Sequence, residues 1–239
     1  MRFSNDIFVY GAGGARRDIF VYGAGGARRD IFVYGAGGAG REFANAFEHS
    51  ITWQVRGFID DTKQQGEIIN GIPVMGGRGY LLFEKCAVAM CIVENPQVKR
   101  ELIREIKIHC PDVSFPVVLN EESSISRHIE WGEGCIVSLP YNFISVNLQV
   151  GDFVWINVAN IIGHDVRIGE YSTLYSGINV GGHVRIGSEC VIGSGAIIKP
   201  GVVIGDRVIV GAGAVVVKDV DAGAVVMGNP AREKGESHG

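Results

Sequence analysis

A six-residue periodicity constrains the C-terminal half of this chain more tightly than any other feature. From Val150 the sequence divides without a gap into twelve blocks, among them INVANI, IGHDVR, IGEYST, VGGHVR, IGSGAI and VGAGAV. The first position is Val, Ile or Leu in all twelve, the second is glycine in eight, and the fifth is small or β-branched almost throughout, with Asn160 a polar exception. Positions one and five then lie on one side of a short extended stretch, and glycine sits where the chain must bend sharply. Such blocks describe a solenoid of parallel strands coiled around a narrow core. A disordered, low-complexity tract has no use for an unbroken aliphatic first position. Looser blocks from Ile125 (ISRHIE, WGEGCI, VSLPYN) lead into the regular run, which predicts a solenoid beginning near residue 122.

A second repeat opens the chain. DIFVYGAGGARR spans residues 6–17 and recurs identically at 18–29, then continues as DIFVYGAGGAGR at 30–41. A parallel strand–helix unit needs a crossover helix after each strand, and the first two copies have only a glycine turn and two arginines before the next strand. Only the third copy runs on into a helical segment, GREFANAFEHS. Residues 1–29 therefore read as a duplicated, non-functional extension, 30–121 as an α/β domain, 122–232 as the solenoid, and 233–239 as a tail.

In the α/β domain, a strand at 31–34 is followed by the glycine loop 35–40 and then the helix. Gly35, Gly37 and Gly40 fit G-x-G-x-x-G, the arrangement in which backbone N–H groups at a helix start receive phosphate oxygens. A second strand, WQVRGFID, ends at Asp60 and Asp61, about twenty residues past the loop, the distance at which a carboxylate meets a ribose or base. IPVM (72–75), AVAMCIV (87–93), an amphipathic helix around 98–109 and VSFPVVL (113–119) complete an expected five-stranded Rossmann-like domain. Glycine loops also serve as plain strand-to-helix turns, and Asp60 and Asp61 as plain caps; it is their pairing that points to a nucleotide-containing ligand.

Bulk properties narrow the function classes. The formal net charge is −4, with no long Lys/Arg run, so the electrostatic footprint of nucleic-acid binding is missing. No apolar run approaches the roughly 18 residues of a membrane span, and no secretory signal opens the sequence, so a cytoplasmic location is expected. Five cysteines without a C-x-x-C pair argue against a disulfide framework or a zinc ribbon. Cys135 and Cys190 fall at inward positions and read as core rather than as nucleophiles.

Taken together, VYGAGGAGRE, GFIDD, INVANIIGHDVRIG, VGGHVRIG, VGAGAVVVKDV and GNPAR resemble the hexapeptide-repeat sugar acetyltransferases, the group of sialic acid O-acetyltransferases and bacillosamine-pathway N-acetyltransferases, over residues 30–232. The resemblance implies a left-handed parallel β-helix with three hexapeptides per coil, acetyl-CoA as co-substrate, no metal, and a homotrimer with acetyl-CoA held between neighbouring prisms. It also implies His164 as general base, Asp165 as its acidic partner and Asn157 as a nearby polar group. Gly37, Gly38 and Ala39, with Asp60 and Asp61, would hold the nucleotide of an activated sugar. Thr173, Gly182, Ser194 and Ala212 would lie along the CoA site. This chain departs from the bacillosamine-type pattern at Thr173, where those enzymes carry a second histidine, and at Glu94, where they carry glycine near the sugar nucleotide.

The residues themselves suit that chemistry. Attack on a thioester requires a nucleophile that loses its proton, a neutral imidazole accepts it, and an adjacent carboxylate favours the imidazolium that forms. Corner residues of a solenoid are often merely solvated, and His183 is assigned a structural role on that ground. Two other enzymes compete: a nicotinamide-dependent oxidoreductase, which leaves the solenoid without a task, and a β-helix carbonic anhydrase, whose three-histidine spacing is missing. A non-catalytic scaffold is the rival from another class. The acceptor is expected to be the amino group of a nucleotide-linked deoxysugar, with a sialic acid or other sugar hydroxyl as the alternative.

Overall fold

The computed structural model describes residues 27–234, which form two compact units divided between Val118 and Leu119. The first two copies of the N-terminal repeat fall almost wholly outside the described residues, as do residues 235–239 of the tail.

The first unit is a five-stranded sheet with helices. Strand β1 (Arg29–Tyr34) buries Ile31 and Val33 completely and leads through the glycine loop into helix α1 (Gly38–Ala46). Strand β2 (Trp53–Ile59) pairs parallel to β1, and the short β3 (Ile68–Ile69) and β4 (Ile72–Gly76) form an antiparallel pair beside it. Strand β5 (Val88–Met90) closes the other edge, giving the order β3-β4-β2-β1-β5. Helix α2 (Pro96–His109) starts where Asn95 accepts the N–H groups of Gln97 and Val98 and Pro96 supplies a helix-ready φ. It buries Ile103 and Ile106.

The fifth strand differs from expectation. Residues 113–119 contribute only a bridge between Ser114 and Ala87, because Pro116 has no N–H to donate to a ladder. Ile68–Ile69 takes the fifth place, and Val118–Leu119 begins a face of the solenoid.

The second unit is the parallel β-helix that the six-residue period predicts. Among the described residues its three faces carry six, five and eight short strands, each paired with the strand eighteen residues away in the regular region, as Ile161 is with Asn179. All twelve first-position residues from Val150 to Val216 are buried, and so are the fifth-position residues except Val220. Asn160, the polar exception, is fully buried and satisfied: its amide donates to the Asn157 carbonyl at 3.0 Å and its oxygen accepts Ile178 N–H at 2.8 Å. Cys135 and Cys190 are inward and fully buried; burial pushes the Cys190 thiol up to about 11, which leaves it inert at neutral pH.

Candidate active site

Two groups of predicted residues are brought together, one in each unit. In the first unit, Gly35 has φ +101°, a left-handed turn that glycine adopts without strain, and Gly40 lies so close to β1 that a Cβ there would stand 1.8 Å from the Gly35 carbonyl. A Cβ on Gly37 or Gly38 would meet nothing within 4 Å, so the start of α1 stays open to a ligand. Gly37 offers no side chain to cap the first-turn N–H groups.

The loop borders a cleft of about 380 Å³ lined by Gly37, Gly38, Ala39, Asp60 and Asp61, with Tyr34 and Glu94. Sequence reasoning missed how fully both carboxylates are engaged. Asp60 accepts Ala36 N–H at 2.8 Å through one oxygen, and the Thr62 N–H and hydroxyl at 2.8 and 2.7 Å through the other, tying the glycine loop to the end of β2. Partial burial pushes this carboxyl up, but the hydrogen bonds from Ala36 and Thr62 outweigh it and hold Asp60 below the usual range. Asp61 accepts the Tyr34 hydroxyl at 2.5 Å and Arg78 N–H at 2.8 Å. Burial, then the hydrogen bond to Asp61, keeps the Tyr34 phenol far above its ordinary value, so it stays protonated. Arg78 also pairs with Glu105, which fixes the guanidinium on the Asp61 side of the cleft. Tyr34, at the last position of β1, was legible only as a strand residue.

In the second unit, His164 and Asp165 occupy a turn between the face that carries Ile161–Ile162 and the face that carries Arg167–Ile168. His164 Nδ1 lies 2.8 Å from Asp165 Oδ2, and Asn147 donates to the other carboxylate oxygen at 3.3 Å. The bond from His164, then that from Asn147, lowers the Asp165 carboxyl below its usual range. An ionised carboxylate can only accept, so Nδ1 is the donor and Nε2 carries the lone pair. One coil on, Gly182 lies against the ring: a Cβ there would meet Nε2 at 2.7 Å.

His183, given a structural role from sequence, belongs to the same cluster. Its N–H donates to the His164 carbonyl at 2.9 Å, its Nδ1 stands 4.0 Å from Asp165 Oδ2, and the two imidazoles meet edge to face at 4.9 Å. The available signal was arithmetic, since 165 plus one eighteen-residue coil is 183.

Other predicted residues fall elsewhere in the chain. Asn157, Ser194 and Ala212 occupy turns at the neighbouring corner, between the faces carrying Trp155–Ile156 and Ile161–Ile162; Ser194 accepts Gly213 N–H one coil above. Asn157 Oδ1 accepts Val158 N–H at 2.9 Å, turned toward its own backbone. Thr173 is fully buried, in a strand of the face that carries Trp155.

Comparison with known proteins agrees with both halves of the chain. A family model described as the PglD N-terminal domain matches residues 30–106, and one described as bacterial transferase hexapeptide (six repeats) matches residues 183–218. No curated protein matches the chain. Among solved structures, WeeI from Acinetobacter baumannii AYE is 32% identical, with 85% of this chain and 99% of that chain aligned and a TM-score of 0.70. The chain belongs to the hexapeptide-repeat sugar acetyltransferase family. Within that family's solved structures, the acetyltransferase domain of PglB from Neisseria gonorrhoeae FA1090 in complex with acetyl coenzyme A is 27% identical, over 87% of this chain and 100% of that one, with a TM-score of 0.79. PerB from Caulobacter crescentus, in complex with CoA and GDP-perosamine, is 26% identical over 86% and 97%, with a TM-score of 0.78.

Proposed function

We propose that this chain transfers an acetyl group from acetyl-CoA to the amino group of a nucleotide-activated amino deoxysugar. The observation that carries the reading is the His164–Asp165 pair, in a chain whose relatives include an acetyltransferase domain with acetyl-CoA and a protein with CoA and an amino-sugar nucleotide. His164 Nε2 accepts the proton of the attacking amine as its nitrogen bonds to the thioester carbonyl carbon. The C–S bond then breaks, and the proton passes to the departing thiolate. Asp165 holds the tautomer and stabilises the transient imidazolium. The glycine loop and the cleft beside Asp60 and Asp61 are assigned to the nucleotide, and Gly182, Ser194 and Ala212 to the acetyl-CoA side; Thr173, fully buried, offers a ligand no surface within one chain.

We further infer a homotrimer with shared sites. Within one chain His164 lies at one corner while Asn157, Ser194 and Ala212 lie at the next, so a site using all of them is completed by a neighbouring copy. The face between those corners presents Phe143, Ile161, Asn179 and Ile197 outward in register, the three apolar ones each about half exposed, a mostly apolar ladder interrupted by one amide and suited to burial against another copy. Among the described residues no helix is long and apolar enough to cross a membrane; a cytoplasmic location, where acetyl-CoA and nucleotide sugars are available, fits the reading.

The test is acetyl-CoA turnover followed by thiol release against a panel of nucleotide-linked amino sugars and free sialic acids, with products identified by mass spectrometry. N-acetylated nucleotide sugar is the expected product. Acetylation of a sialic acid hydroxyl alone would replace the acceptor, and no thiol release with any member of the panel would overturn the reading.

A further inference from the structure

We propose that His164, Asp165 and His183 form a binding site for a divalent transition-metal ion of the zinc type, and that an ion bound there blocks acetyl transfer. The blocking half rests on the assignment of His164 as base; the site itself does not.

The coil geometry assembles the donors. Asp165 and His183 occupy the same place in successive coils, both with left-handed φ, 57° and 62°. Gly182 occupies the place above His164 and has no side chain, so the imidazole has room to lean toward His183. Each of the three residues offers one ligand atom, and these atoms all lie within 4.8 Å of one another.

The donor set and its spacing fit such an ion. Two imidazoles and a carboxylate suit zinc and its neighbours, and three protein ligands leave a fourth position for water. Bonds of about 2.0–2.1 Å in tetrahedral geometry put donor atoms about 3.4 Å apart. The separations present, 2.8 Å between His164 and Asp165 and 4.0 Å between Asp165 and His183, straddle that value. All three side chains are between 40% and 67% exposed, so rotations that shift their tips by about an ångström meet little resistance. Asn147 donates to Asp165 Oδ1 and restrains the carboxylate, the kind of outer support that metal ligands use, while Oδ2, which faces both histidines, can take the ion in place of the His164 hydrogen bond.

An ion coordinated by His164 withdraws that imidazole from proton transfer, whichever ring nitrogen it takes. If Nδ1 is the ligand, the ring proton sits on Nε2, which then has no lone pair to accept with; if Nε2 is, the ion consumes the lone pair.

The experiment uses the full chain stripped with chelator and titrated with zinc chloride by calorimetry and by equilibrium dialysis. The wild type is compared with His183→Gln, His164→Ala and, as a surface-histidine control, His49→Gln. One zinc per chain is expected for the wild type and the control, with affinity at least about tenfold weaker in the other two. Acetyl transfer by the wild type should fall as zinc fills the site and return on adding chelator. At any one zinc concentration His183→Gln should lose a smaller fraction of its own zinc-free rate than the wild type loses of its own. Binding that survives both His183→Gln and His164→Ala overturns the site. Binding that depends on both histidines, with transfer undiminished by saturating zinc, overturns both the proposed block and the assignment of His164 as base, while the site stands.

Discussion

Gly182 gives up its side-chain space to His164: a Cβ on Gly182 would stand 2.7 Å from Nε2 of the imidazole one coil below. Gly182→Ala should therefore displace the ring without disturbing the aliphatic core, since the clash falls on a rotatable side chain. Turnover should drop by as much as about 10²-fold, the scale on which a displacement of roughly 1 Å acts. Thermal unfolding should change little, and steady-state kinetics beside a melting curve separate the two effects.

His164→Ala should cost on the order of 10²- to 10⁴-fold in kcat while leaving acetyl-CoA affinity and assembly intact, because a turn residue adds little to the core. Asp165→Asn should cost less, since Nε2 persists and only its partner is weakened. Near-normal turnover in His164→Ala would move the base elsewhere, with His183 the first alternative.

In the nucleotide cleft, Asp61→Ala should raise KM for the nucleotide sugar and leave KM for acetyl-CoA unchanged. Tyr34→Phe should act in the same direction but more weakly, because the phenol positions Asp61 by a single 2.5 Å hydrogen bond. A variant that instead lost acetyl-CoA binding would reverse the assignment of the two units.

The Asp60 clamp on the glycine loop has a defined pH signature. Its carboxyl is held below the ordinary range, so the stability it contributes is complete above that range and lost only as pH falls through the lowered value. Between roughly pH 5 and 8 nucleotide binding should show no transition from this group. Asp60→Asn should weaken binding severalfold and equally at both ends of that interval, as read by calorimetry.

Light scattering should report three chains, and Ile161→Glu together with Ile197→Glu should break that assembly by placing charges in the outward ladder. Loss of activity should accompany dissociation, because the corners bearing His164 and Ser194 would no longer meet across chains. A fully active monomer would defeat the shared site.

Local order in this protein was written in the sequence because its causes are local. An aliphatic residue every sixth position, a small one four further on and glycine at the bend make one inward side and one turn per block, and each buried first-position residue from Val150 to Val216 follows from that pattern. The glycine loop was legible for the same reason: Gly35 and Gly40 answer a turn and a close contact within six residues of each other. Tertiary structure decided everything that depends on stacking. Superposition at eighteen residues set His183 over Asp165 and emptied the space above His164, and it placed Asn157 on another corner, with Ser194 and Ala212, although Asn157 precedes His164 by only seven residues. It also decided the edge of the first sheet, where the β3–β4 pair closed and Pro116 denied residues 113–119 a ladder. A six-residue motif specifies which way a side chain faces; which residue lies one coil above it is a property of the assembled solenoid.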